Sequence, residues 1–326
     1  MRDQLAAYCV PIEAAEYRRT EPDDRRFDDF LIPFDRWEGS APMLALLGVP
    51  QDEGVRRNGG RIGAAEAPPA IRQALGKLAA SIGSRSLPDN VRVLDCGVLA
   101  VENMSLEDVH RRQEHVVGLL LDSGASVVVL GGGHDTALPD GRAIGKRATR
   151  LGIVNVDAHL DVRPPAIEGS HSGSPFRELI EDPACRLGML IEFGTQPFSA
   201  SAHHVRYVLE RGHAVWMLGD IRRDTLDVAL DRVVDALDAC DAVHLSLDMD
   251  ALASAYAPGV SAPASDGFRP DEVARIVERI AALPTCRLVD IVEVNPRYDA
   301  DGRTVRLAAY FAAVALWTFA HRTRCR

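Results

Sequence analysis

LGIVNVDAHLD, residues 151–161, is the stretch on which the fold turns. Its first six residues form a largely apolar, β-branched run, short enough for a strand and apolar enough to be buried on both faces. Three polar groups follow at spacing two: Asp157, His159 and Asp161. Strand side chains alternate between faces, so an extended backbone aims all three the same way. The arrangement recurs twice. SVVVLGGGHD, residues 126–135, sets His134 behind an apolar run, and VHLSLDMD, residues 243–250, sets Asp248 and Asp250 at the end of another.

Four more runs read as strands: MLALLGVP from Met43, VRVLDCGVL from Val91, HAVWMLGD from His213 and RLVDIVEVNP from Arg287. Helical periodicity fills intervals between them, over 105–122, 136–149, 224–238 and 270–281, the last with Pro270 suited to a first helical turn. Strands alternating with helices predict an α/β fold with a parallel sheet covered on both faces. In such folds ligands collect beyond the carboxyl ends of the strands. His134, Asp157 to Asp161, Asp248, Asp250 and Glu293 all fall at such ends. Residues 1–40, rich in charge and poor in periodicity, read as an irregular N-terminal extension, and 41–326 as a single domain.

The formal net charge of −10, with no long basic run, argues against a nucleic-acid surface. The six cysteines show no CxxC pairing, and the N-terminus carries charges where a signal peptide needs an apolar core. Reduced thiols and a cytoplasmic location are the expectation. The longest apolar stretch, 307–320, is too short to span a bilayer and reads as a buried C-terminal helix, so no membrane association is expected. Neither DEGVRRNGG nor GGGHD has a P-loop ending or dinucleotide spacing, so no nucleotide is expected; the glycines at 131–133 read as allowing close backbone approach.

Any one of the strand-end acids read alone is a side chain capped by backbone or water. Together, two imidazoles (His134, His159) and four carboxylates (Asp157, Asp161, Asp248, Asp250) make a hard donor set without thiolate, suited to Mn²⁺ rather than structural zinc. Six such ligands suit two ions, whose four positive charges balance four aspartates. Ions roughly 3.5–4 Å apart share a water and generate hydroxide, the logic of dinuclear hydrolases. Asp161 is expected to bridge them and orient the hydroxide proton.

GGGHD, DAHLD and SLDMD, in that order, resemble the three metal signatures of the ureohydrolase family, which includes arginase, agmatinase and formimidoylglutamase. The likeness runs from about Leu44 to Leu307. It implies a three-layer α/β/α arginase-like fold with a mostly parallel central sheet, two Mn²⁺ per chain on the six residues above, and a homo-oligomer. DEGVRRNGGRIGA (52–64), SGSPFRE (172–178), APGVSAPA (257–264) and EVNPRYDADGRTVRLAA (293–309) resemble the formimidoylglutamase branch more than the others. The implied reaction is hydrolysis of N-formimino-L-glutamate to L-glutamate and formamide, a step of histidine degradation, by a metal-bridging hydroxide. The alternative is another ureohydrolase acting on agmatine, arginine or a guanidino acid.

Glu293 matches the family's glutamate that pairs with the cationic end of the substrate; an ion pair with Arg297 or Arg303 is its other reading. A substrate with two carboxylates calls for arginines, which match carboxylates bidentately. Arg163 is one candidate, and Arg56 or Arg57 the other unless these are solvated loop charges. Arg61 and Arg72 resemble a structural segment of the family. Where arginase and agmatinase have an HGxP segment with a proton-shuttling histidine, this chain has SGSP, with Ser172 at that position and His171 just before it. Both are candidate pocket residues. His203 and His204 read as surface or packing residues on a helix, and His244 as a core residue or one supporting the ligands.

Overall fold

The structure, a computed structural model, describes residues 1–12, 23–38 and 43–322. Cys325 and parts of the expected N-terminal extension lie outside the described residues. Twelve strands are present among them: β1 (Cys9–Val10), β2 (Leu31–Pro33), β3 (Leu44–Gly48), β4 (Ser81–Ile82), β5 (Arg85–Ser86), β6 (Val93–Leu99), β7 (Ser126–Leu130), β8 (Leu151–Val156), β9 (Leu187–Thr195), β10 (Ala214–Met217), β11 (Ala242–Asp248) and β12 (Cys286–Val292). β4 and β5 form a separate hairpin. The other ten make one sheet in the order β1-β6-β3-β7-β12-β11-β8-β9-β10, with β2 also on β6. Every pairing in it is parallel except β1 on β6.

Both faces of the sheet are buried, which is why its strands read as nearly continuous apolar runs. Val128, Leu130, Leu245 and Leu247 face a core closed by helices Ala67–Gly76, Leu226–Leu237, Pro270–Ala281 and Arg303–His321. Val127, Val129 and Ile153 face the opposite core, under helices Leu106–Asp122, Ala137–Gly145 and Pro175–Glu181. The fold is thus the expected three-layer α/β/α arrangement. Ser105 caps Leu106–Asp122 by accepting from the Asp108 N–H, and the apolar C-terminal stretch lies inside Arg303–His321. Among the described residues no helix is long and apolar enough to cross a membrane.

The four central neighbours β7, β12, β11 and β8 position the site. Leu130 registers with Ile291, Val292 with Asp248, and Leu247 with Val156, so all four strands end at nearly one level. The loops leaving them carry His134, Glu293, Asp250 and the Asp157–Asp161 segment to the same place.

Some expectations need correction. β9 went unread because Gly188, Glu192 and Gly194 interrupt its apolar run; Glu192 is nonetheless buried. Residues 1–40 are not irregular throughout, since β1 and β2 both join the sheet, but strands of two and three residues are too short to show a period. The helix expected over 136–149 spans Ala137–Gly145 after a 3₁₀ turn at His134–Thr136. That expected over 224–238 begins at Leu226, because Thr225 sits at φ +75° between two helices.

Arg72 ties the N-terminal segment to the sheet. Its guanidinium, 2% exposed, donates to Asp95 on β6 at 2.6 Å and to Asp28 at 2.9 Å. Removing one partner of a buried pair leaves the other charge uncompensated. Arg72→Ala is expected to lower stability by about 3–5 kcal/mol, measured as a shift in the urea unfolding midpoint; an unchanged midpoint would show that Asp95 has found water or another donor.

Candidate metal centre and cavity

Two groups of side chains gather past the strand ends. In the first, His134 Nδ1 lies 3.3 Å from Asp157 Oδ2, 3.0 Å from Asp161 Oδ2 and 3.0 Å from Asp248 Oδ2. In the second, His159 Nδ1 lies 3.4 Å from Asp157 Oδ1 and 3.2 Å from Asp250 Oδ2. Within each group the candidate ligand atoms all lie within 4.8 Å of one another. Asp157 belongs to both, offering one oxygen to each, whereas Asp161 belongs to the first alone. Asp157, and not the expected Asp161, is thus the residue common to both groups.

Strand parity is not what brings these residues together. β8 ends at Val156, so Asp157, His159 and Asp161 lie on a loop, and Asp161 takes a left-handed φ of +44°. Asp157 Oδ1 accepts from the His159 N–H at 2.7 Å, and Asp248 Oδ1 from the Asp250 N–H at 2.7 Å, local turns that fold each segment back toward its partner. Asp250 sits in the 3₁₀ turn Met249–Ala251. Close backbone approach around His134 needs glycine: a Cβ on Gly132 would lie 1.7 Å from the Gln51 carbonyl oxygen, and one on Gly54 1.9 Å from Asp135 Oδ1.

The electrostatics call for a cation. Burial by itself would depress the His134 imidazole, but Asp157, Asp161 and Asp248 override it and raise it well above its ordinary value. Burial, then the neighbouring Asp250 and Asp157, pushes the Asp248 carboxyl well up. Asp250 is raised to about 6, first by burial. Glu293 is raised to about 8 by burial and by the charges of Asp250 and Asp161, against the hydrogen bond it receives from the His134 N–H. His134 Nδ1 and Asp250 Oδ1 are buried without a hydrogen-bond partner. Protons alone satisfy such a set poorly, whereas divalent ions between the imidazoles and carboxylates satisfy all of it. Oxygen and imidazole donors without thiolate fit manganese.

A cavity of about 260 Å³ opens on these groups. Its lining includes His159, Asp161, Asp248, Asp250 and Glu293 together with Asn58, Arg163, Ser172 and Ser261. Glu293, at φ +63°, accepts from the His134 N–H through Oε1 at 2.9 Å, while its buried Oε2 has no partner. It is not an ion-pair acid for Arg297 or Arg303, which hold Glu66 and Asp301. Arg163 donates to Asn58 Oδ1 at 2.9 Å, and Asn58 Nδ2 donates to Ser172 Oγ at 3.0 Å.

Two of the expected substrate contacts do not reach the cavity. Arg57 is committed to Glu107 at 2.6 Å, Glu53 at 3.0 Å and the Ser170 carbonyl, with 9% of its side chain exposed. Arg56 pairs with Glu53 and Glu168 at the surface. Both ring nitrogens of His171 are used by backbone: Nδ1 accepts from the Gly173 N–H at 3.1 Å, so Nε2 donates to the Pro164 carbonyl at 3.1 Å. Asn58 and Ser261 were missed although both lie in quoted segments; the signal was Gly59, whose φ of +75° turns the loop at the cavity.

The sequence profile of the arginase family matches residues 43–317. Formimidoylglutamase from Geobacillus thermodenitrificans is 37% identical over 286 residues, 84% of each chain. The crystal structure of Trypanosoma cruzi formiminoglutamase with Mn²⁺₂ superposes with a TM-score of 0.78 at 33% identity, covering 86% of this chain and 95% of that one. Formimidoylglutamase from Bacillus subtilis superposes with a TM-score of 0.85 at 26% identity, covering 95% and 97%. With a matching profile across most of its length and relatives of this identity and coverage, the chain belongs to the arginase family.

Proposed function

We propose that this protein hydrolyses N-formimino-L-glutamate to L-glutamate and formamide at two Mn²⁺ ions held by His134, Asp157, His159, Asp161, Asp248 and Asp250. The observation that carries the reading is the pair of His–Asp groups sharing Asp157 at a cavity whose lining includes both Glu293 and Arg163. The relatives' names and the Mn²⁺ of the Trypanosoma cruzi structure support it. Bound ions of this kind supply Lewis acidity and bring the pKa of water toward neutrality.

The chain's own residues do the rest. Glu293 Oε2, buried and without a partner, holds the protonated formimino group, a cationic amidine. Arg163, steadied by Asn58, faces the carboxylates at the other end of the substrate. Asp161, the carboxylate of the first group that is partly exposed to the cavity, is placed to take a proton at a carboxylate oxygen. The five free, buried cysteines among the described residues accord with a reducing, cytoplasmic setting.

A turnover panel of formiminoglutamate, arginine, agmatine and guanidino acids tests the assignment, and preference for any substrate but the first overturns it. Asp161→Asn is expected to cut turnover by more than about a hundredfold with an unchanged circular dichroism spectrum. Arg163→Ala is expected to lower kcat/KM for formiminoglutamate by about tenfold to a hundredfold while two ions still bind. Agmatine, whose far end is a cation, should be a poor substrate of the parent. An unchanged kcat/KM in Arg163→Ala would transfer carboxylate recognition to another residue.

Metal-free protein should show a defined pH dependence. Asp250 and Glu293 have folded-state values of about 6 and about 8, above the ordinary 3.8 and 4.5. Between ordinary and raised values the folded protein binds more protons than the unfolded chain, so stability falls as pH rises through those windows. Thermal melting of chelator-treated protein is expected to move down from pH 5 to pH 8, and added Mn²⁺ to raise it more at pH 8. A melting temperature independent of pH and of Mn²⁺ would contradict the buried, metal-compensated carboxylates.

A further inference from the structure

Beneath the candidate metal centre a chain of buried polar groups runs from His134 into the sheet. His134 Nε2 lies 3.0 Å from Ser246 Oγ, and Ser246 Oγ donates to Asp290 Oδ1 at 2.6 Å. The His244 Nε2–H donates to Asp290 Oδ2 at 2.5 Å. All four residues are fully buried. The placement is dictated by register: Ser246 on β11 stands directly opposite Asp290 on β12, and His244 lies two residues earlier on the same face. None of the four has access to bulk water as an alternative partner.

A serine hydroxyl has one proton. Here that proton goes to Asp290, an acceptor when ionised, so toward His134 the hydroxyl can only accept. The imidazole must then carry its proton on Nε2. Its Nδ1 presents a lone pair toward three carboxylate oxygens, at 3.0, 3.0 and 3.3 Å. A lone pair aimed at three anionic oxygens is tolerable only around a cation, either a second proton on the ring or a metal ion in its place.

Building on the metal-dependent function proposed above, we propose that Ser246 and Asp290 are positioning residues of the metal centre, which hold His134 in the Nε2–H tautomer so that Nδ1 is free for a metal ion. His244, hydrogen-bonded to the other Asp290 oxygen, fixes the rotation of that carboxylate. The chain acts on the ion of the first group, since His159 serves the second.

Mn²⁺ titration of the full-length protein, followed by electron paramagnetic resonance of the free ion, tests this. The parent should bind two ions. Ser246→Ala should bind one ion as the parent does and the other about tenfold to a hundredfold more weakly, with an unchanged circular dichroism spectrum. Ser246→Thr, which keeps the hydroxyl, should restore the lost affinity. Unchanged affinity for both ions in Ser246→Ala, or equal weakening of both together with a lower melting temperature, would overturn the proposal. A measurement on the parent alone stands beside the variants: in Zn²⁺-loaded, ¹⁵N-histidine-labelled protein, His134 should show its proton on Nε2. A proton on Nδ1 would overturn the proposal even if Ser246→Ala failed to fold. A parent that binds no ion pair would overturn the functional reading itself, and this inference with it.

Discussion

Five carboxylates and two imidazoles gather past the ends of four neighbouring strands, mostly out of water, and the design of the rest of the protein answers to that charge. In a medium that screens poorly, so many acids cannot ionise together unless cations stand among them. The sheet order answers the geometric half of the problem. By making β7, β12, β11 and β8 neighbours with level ends, it delivers residues from four distant parts of the sequence to one volume. The glycines at 54 and 132 answer the steric half, letting two loops pass with less than a side chain between them.

Much of this was legible beforehand. The strand runs ending in DAHLD, GGGHD and SLDMD could be read because strands buried on both sides are apolar throughout, and polar residues at their ends stand out against that background. The reason given for the convergence was incomplete. Asp157, His159 and Asp161 meet their partners through a loop beyond β8, where strand alternation no longer applies. Parity did hold within β11, where His244 and Ser246 share a face with Asp248.

What escaped the sequence depends on pairings between distant positions. Arg57 looks like a carboxylate binder until Glu107, fifty residues on, claims its guanidinium. His171 looks like a substitute proton carrier until the Pro164 carbonyl and the Gly173 N–H occupy its ring. Glu192 disguised β9 because a buried glutamate is rare in a strand interior. It is held by Asn155 at 2.7 Å, and burial beside Asp157 and Asp161 raises its carboxyl well above the ordinary range.

Glu293 has one further property, a backbone at φ +63° in the left-handed region, where glycine, asparagine and aspartate are at ease and a glutamate is not. Such a residue carries strain on the order of 1–3 kcal/mol. A sequence selected for folding alone would place glycine or asparagine at position 293 and gain stability. Substitutions there that raise heat resistance would therefore remove a carboxylate from the cavity, and a screen for stability alone would not register the loss.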